Sequence, residues 1–223
     1  MTIEEAMKAR HAVRRYTGRQ LSADAVISLS REIESCNRES GLHIQLVKDE
    51  PKAFSGFLAK YGSFRNVNNY IALVGHDTPD FDEKCGYYGE RIALAAQMIG
   101  LNTCWVAMSF SRGKAGCALA EHERLTLVIA VGYGEDQGKA HRSKPAEKLC
   151  RVRGEMPVWF SRGMEAAMLA PTAVNQQHFL FTLENGNKVK AEATGGFYSD
   201  IDLGIVKYHF EQGAGTASFT WAQ

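Results

Sequence analysis

The 223-residue chain lacks any Cys-x-x-Cys pair, and its five cysteines, Cys36, Cys85, Cys104, Cys117 and Cys150, are odd in number and widely spaced. That spacing argues against a zinc site and a disulfide framework, so the thiols are expected to be reduced, buried small hydrophobes. No apolar run approaches the length of a membrane span. The first eighteen residues, MTIEEAMKARHAVRRYTG, are charged and patterned as a helix. They lack the apolar core of a secretory signal, so the cytoplasm is the expected compartment, the alternative being a mature chain whose signal was removed. Nor is there an excess of charge: the net value of +1 sets up no global field toward nucleic acid or a membrane. No catalytic triad or metal-ligating cluster stands out either. What is present, 45% hydrophobic and 23% charged residues, is ordinary for a soluble globular protein with a sizeable core.

Periodicity divides the chain into alternating helices and strands. Ile3, Ala6 and Met7 share one side of a short N-terminal helix, and Ser22 is an N-cap before a second helix carrying Val26, Leu29 and Ile33. Strands are predicted at 43–47, 69–75, 103–107 and 125–133, and helices at 51–60, 84–99 and 112–122, with Gly100 as the stop of the long one. A polar connector, 134–147, follows the most apolar strand. Beyond it come a helix at 157–169, a β-hairpin around Asn185-Gly186, a helix at 202–212 closed by Gly213, and a last strand at 216–221. The two parts, 1–150 and 151–223, follow a similar order of elements. The expected architecture is α+β, a mixed sheet with helices on its faces and two pseudo-symmetric halves.

Four segments carry chemistry. Arg10, His11, Arg14, Arg15 and Arg19 concentrate positive charge at the end of the first helix, where guanidinium forks suit phosphate oxygens or a planar anionic edge. Arg10 and Arg14 would share a face if that helix continued. The segment Ala170-Pro171-Thr172-Ala173-Val174-Asn175-Gln176-Gln177 ends a helix at proline and then offers polar side chains on a loop. His141-Arg142-Ser143-Lys144 could close two cations on one phosphate, since alternate residues of extended chain point the same way. The strand after Gly100 brings backbone amides at Val106 and Ala107 to the same neighbourhood. Read singly, each segment is equally compatible with a solvated basic face, ordinary turn chemistry or core packing.

Their joint order resembles the nitroreductase family of flavoproteins. Arg10-His11-Ala12-Val13-Arg14 is similar to the family's N-terminal Arg-x-Ser-x-Arg/Lys motif. Ala170 to Gln177 is similar to its Ala-Pro-Ser-x-x-Asn-x-Gln-Pro loop. The stretch from Gly100 to Ala107 resembles the segment passing beside the flavin ring, and Arg142 with Lys144 the late basic pair. Three features depart from the pattern. Ala12 replaces a common Ser, His178 stands where Pro is usual, and the proline-containing loop lies in the C-terminal half instead of the N-terminal one.

The resemblance implies an FMN site, with chemistry borne by the flavin and no catalytic side chain or metal. Arg10, Arg142 and Lys144 would hold the phosphate, with His11 and Ala12 nearby. Arg14 would lie at the N1–O2 edge and stabilise the reduced ring. Val106 and Ala107 would face N5 and O4. Pro171, Thr172, Ala173, Asn175 and Gln177 would complete the site from the second half. The implied activity is electron transfer from NAD(P)H, as co-substrate, to a small-molecule acceptor, in a monomeric pseudo-dimer or a homodimer, with no nucleic-acid or membrane partner. Two alternatives remain: a flavin-binding protein on this fold with another or lost activity, and a non-flavin module binding a phosphate ligand.

Overall fold

Thr2 and Glu5 form a reciprocal capping box that starts α1 (Ile3–Ala9). In the computed structural model, which describes residues 1–222, this helix stops at Ala9 and the chain turns extended at Arg10. The helical face that Arg10 and Arg14 were expected to share therefore does not exist. Ser22 caps α2 (Ala23–Ser40) as its sequence predicts, and Gly41, at φ 73°, ends it.

Two four-stranded sheets follow. The first, in the order β1-β2-β4-β3, pairs β1 (Gln45–Val47), β2 (Tyr70–His76), β3 (Asn102–Val106) and β4 (Glu123–Gly132) antiparallel throughout. The second takes β5 (Cys150–Arg151), β6 (Phe179–Glu184), β7 (Lys188–Ala193) and β8 (Thr220–Trp221) in sequence order. Its central β6–β7 pair is the predicted hairpin, and its two outer pairings are parallel. The short β5 escaped the pattern reading, and it places the expected boundary at residue 150 inside a strand.

The helical expectations at 51–60 and 112–122 need correction. The first splits into a single 3-10 turn, Lys52–Phe54, and the short α3 (Phe57–Tyr61). The second holds only the 3-10 turn Arg112–Lys114, because Gly113 and Gly116 weaken any helix there. Farther on, α4 (Phe81–Met98) and α5 (Val158–Ala167) stand near their predicted places. The last helix, α6 (Ser199–Ala214), begins earlier than predicted and runs through Gly213 to a stop at Gly215. Gly213 is instead a contact point, since a Cβ there would lie 2.4 Å from the Arg162 carbonyl oxygen on α5.

The centre of the molecule is the crossing of α4 and α6. A Cβ on Gly86 would sit 2.0 Å from the Ile201 carbonyl oxygen, and one on Gly204 would sit 1.9 Å from that of Glu83. Each glycine is the sixth residue of its helix, and each apposed carbonyl belongs to the third. The two helices thus meet through equivalent positions, backbone against backbone. Around them the elements repeat: helix, antiparallel strand pair, long helix, strand, as α2-β1-β2-α4-β3 and as α5-β6-β7-α6-β8. One apolar cluster runs from Ile33 and Ile71 to Phe160, Phe181 and Phe210, so the halves share a core. Among the described residues no helix is long and apolar enough to cross a membrane, and no group of three metal-ligating side chains comes together.

Candidate functional site

The arginine segment is held by the edge of the first sheet. Ala12 bridges Thr103 in parallel fashion, and the Val13 amide donates to the Thr103 carbonyl at 3.0 Å. Tyr16 and Thr17 donate to the carbonyls of Arg65 and Tyr133. Ala12 and Val13 thus dock on the free side of the edge strand β3, and the chain beyond them is tied to Arg65 and to Tyr133 and Gly134 past the end of β4. Within this segment Arg10 is buried, 3% exposed, whereas Arg14 is exposed.

The loop after α5 is strained and clamped. Val174, Asn175 and Gln177 have φ of 45°, 58° and 46°. That is costly for a β-branched residue and persists only where surrounding bonds enforce it. The clamps come from three directions. Asp202, in the first turn of α6, accepts from the Ala173 amide at 2.9 Å and from Gln176 Nε2 at 2.8 Å. Lys144 Nζ donates to the carbonyls of Gln176 and Gln177 at 2.6 and 3.1 Å. The Arg142 carbonyl receives Asn175 Nδ2 at 3.0 Å and Gln177 Nε2 at 2.8 Å.

These two segments face each other across a cleft of about 330 Å³. From the first half Arg10, His11, Ala12 and Arg14 line it, with Cys104 to Ala107 of β3 beside them. The connector adds Lys139 and His141. Pro171 to Asn175 and the α6 residues Ile201, Asp202 and Ile205 close the other wall. Five of these side chains are basic and one, Asp202, is acidic, so the cleft favours an anionic ligand. Burial together with the charge of Arg10 lowers the pKa of His11. Burial raises Asp202 to about 6, against the hydrogen bonds from Gln176 and Ala173. A second chamber, about 470 Å³, adjoins the first through Arg14, Trp105 to Ala107, Ala173, Val174 and Tyr198. Its outer rim is apolar and open: Tyr61, Val174, Met108 and Phe197 are 83, 78, 66 and 51% exposed.

Below the cleft floor lies a buried charge cluster. Glu90 of α4 is fully buried; it accepts from Trp105 Nε1 at 2.8 Å, and its other oxygen lies 2.9 Å from His209 Nε2. Arg10 Nε stands 3.4 Å from the same carboxylate without a hydrogen bond, and its Nη1 also has no partner. A buried guanidinium with unspent donors at the end of a basic cleft is suited to an anion that completes it.

Of the expected site residues, Arg10, His11, Ala12, Arg14, Val106, Ala107, Pro171, Thr172, Ala173 and Asn175 line this one cleft. Arg142 and Lys144 do not. Lys144 spends its ammonium on loop carbonyls, Arg142 is exposed and offers its carbonyl to the loop, and Lys139 and His141 reach the cleft instead. Gln177 is buried behind the loop as a brace, its Oε1 accepting from the Lys144 amide at 2.7 Å. Asp202, Glu90 and His209 went unread. Their only trace in the sequence is a polar residue at an otherwise apolar helical position.

The family described as "Putative TM nitroreductase" matches residues 2–214. The chain belongs to that family. Three solved structures, each described as a putative enzyme of the nitroreductase class, share its fold. One, a nitroreductase from Thermotoga maritima, is 20% identical with a TM-score of 0.61, and the match covers 94% of this chain and 82% of that one. Another, from Desulfovibrio desulfuricans, is a complex with FMN, 21% identical over 70% of this chain and 99% of that one, with a TM-score of 0.53. The third, a NADH dehydrogenase/NAD(P)H nitroreductase from Bacteroides thetaiotaomicron, is 18% identical over 66% and 95%, with a TM-score of 0.52. Comparison with curated protein sequences gives no match.

Proposed function

We propose that this nitroreductase-family chain is an FMN-dependent oxidoreductase that takes electrons from NAD(P)H and passes them to a small planar acceptor. The observation that carries this reading is the cleft in which the buried Arg10, with its unspent donors, faces the loop at Pro171 to Asn175. Arg10, Lys139 and His141 would hold the flavin phosphate, and His11 and Ala12 would flank it. Arg14 would stand beside the ring edge, with the backbone at Val106 and Ala107 along the ring and Thr172 and Asn175 opposite. Bound there, FMN supplies two-electron transfer between the nicotinamide and the acceptor. The chain's part is to bind, orient and exclude water, and the outer chamber with its apolar rim would offer the acceptor its place next to the cleft. Residues of both halves of one chain line the cleft, which supports a site built within a single chain. Five free thiols and the absence of a membrane-length helix among the described residues suit a cytoplasmic enzyme.

The test is a visible spectrum of the purified protein with added FMN. Flavin bands that bleach with NADH or NADPH and return with an acceptor are the expected result. Bands that never bleach would leave a flavin-binding protein of another activity. No bound flavin would leave a site for a different phosphate ligand.

A further inference from the structure

His209, wholly buried in α6, holds two oxygens at once. Its Nδ1 lies 3.0 Å from the Ala166 carbonyl of α5, and its Nε2 lies 2.9 Å from Oε1 of Glu90. A carbonyl can only accept, so Nδ1 carries a hydrogen. A single proton then remains between Nε2 and Oε1, and its position decides whether the two groups are individually charged, the pair as a whole being neutral either way. If it sits on the carboxyl, both partners are neutral. If it sits on the ring, the carboxylate and imidazolium form an ion pair. The second carboxyl oxygen takes the indole N–H of Trp105 at 2.8 Å, a bond that favours the charged carboxylate. Arg10, 3.4 Å away, favours it too. Burial opposes this, yet the pKa of the Glu90 carboxyl is lowered by Arg10, His209 and Trp105 together.

We propose that the shared proton rests on His209, and that the pair, which is neutral overall wherever that proton lies, leaves Arg10 as the net cation at the inner end of the cleft. Each carboxyl oxygen has a closer nitrogen partner, Trp105 on one and His209 on the other, and Arg10 Nε and Nη1 stay unbonded although they are buried. His209 touches no ligand. It is a positioning residue that acts through Glu90 to set how strongly the cleft prefers an anion. Trp105, tied to the same carboxylate, lines both chambers, and Gly89 leaves room for its ring, since a Cβ there would lie 2.6 Å from the indole. The part concerning the ligand rests on the FMN reading above.

The first measurement is on the ligand-free chain. Ring 15N shifts of His209, assigned by their loss in His209→Gln, should show both nitrogens protonated at neutral pH. An unprotonated nitrogen overturns the proposal. The second is the ratio of FMN to riboflavin affinity, in which general packing damage cancels. The glutamine of His209→Gln leaves Glu90 to neutralise Arg10, so the ratio should fall about tenfold. Glu90→Gln alone should keep the ratio, and adding Glu90→Gln to His209→Gln should restore it. A ratio that is unmoved by His209→Gln, or that falls further in the double variant, overturns the proposal. If the wild-type chain binds neither flavin, the FMN reading fails, while the ring nitrogens still decide where the proton lies.

Discussion

The two halves each contain a helix that turns into a strand, and the two turns are built to different ends. Between α2 and β1 the connection closes on itself. Asn37 donates to the Ile44 carbonyl at 2.9 Å and accepts from the Ile44 amide at 2.8 Å, with Gly41 supplying the left-handed residue. Its bonds are local and its one positive φ falls on glycine. Between α5 and β6 three non-glycine residues hold positive φ, and the bonds that hold them come from the connector and from α6. The first turn is cheap and faces no cleft, whereas the second stores strain and forms a wall of the site. The difference shows where the fold spends its long-range restraints.

The most damaging way to break this division is at the helix crossing, which brings the arginine segment of one half to the loop of the other. A methyl group at Gly204 would meet main chain, which cannot step aside. Gly204→Ala is therefore expected to cost about 4 kcal/mol or more, read as loss of cooperative unfolding or a large fall in the denaturant midpoint. Alanine at Gly56, an open position with nothing within 4 Å, is the matched control.

The next largest effect concerns Asp202, the clamp that the self-closed turn lacks. Its pKa is raised in the folded state to about 6, above the ordinary value for an aspartate, so folding binds its proton more tightly. The associated stability is full below about pH 4 and is lost as pH rises through 6, a span of up to about 3 kcal/mol. Asp202→Asn should flatten the stability profile between pH 4 and pH 7 and weaken FMN binding at every pH. A profile of unchanged slope would show that Asp202 does not titrate in that range.

Asn37→Ala tests the other turn. It leaves the buried Ile44 amide without its acceptor, so about 1–3 kcal/mol of stability should be lost while the affinity for FMN stays the same. A matching loss of affinity would mean that the first turn supports the cleft after all.

The smallest effect separates two neighbouring cations. Lys139 lines the cleft but is exposed, so Lys139→Ala should weaken FMN relative to riboflavin by about fivefold, and Arg142→Ala should leave that ratio alone. The reverse order would return the phosphate to Arg142.

What could be read from the sequence was what is written locally. Arg10 and Arg14, the proline loop, the Ser22 cap and the Asn185-Gly186 hairpin all declare themselves within a few residues. Arg10 lines the cleft even though its helix ended sooner than periodicity implied, because the edge of β3 holds the residues that follow it. The basic connector shows the limit of such reading. Alternation in an extended chain predicts that Arg142 and Lys144 point the same way, but not which of Lys139, His141, Arg142 and Lys144 faces the cleft. Asp202 and His209 were illegible for a related reason. Each sits in an apolar helix and is tied to a partner 29 or 119 residues away, which no local pattern encodes.

A cleft assembled from two unlike halves of one polypeptide also changes what mutation can do. In a pair of identical subunits every substitution appears twice, and a residue that sharpens one site alters its symmetry mate as well. Here Glu90 and His209, or Arg10 and Asp202, are each encoded once. The turn at Asn37 can drift toward plain stability while the turn at Asn175 is kept strained. Such a scaffold can specialise one face without changing the other, and an engineer can retune the outer chamber at Tyr61, Met108 or Phe197 with no mirrored consequence elsewhere in the chain.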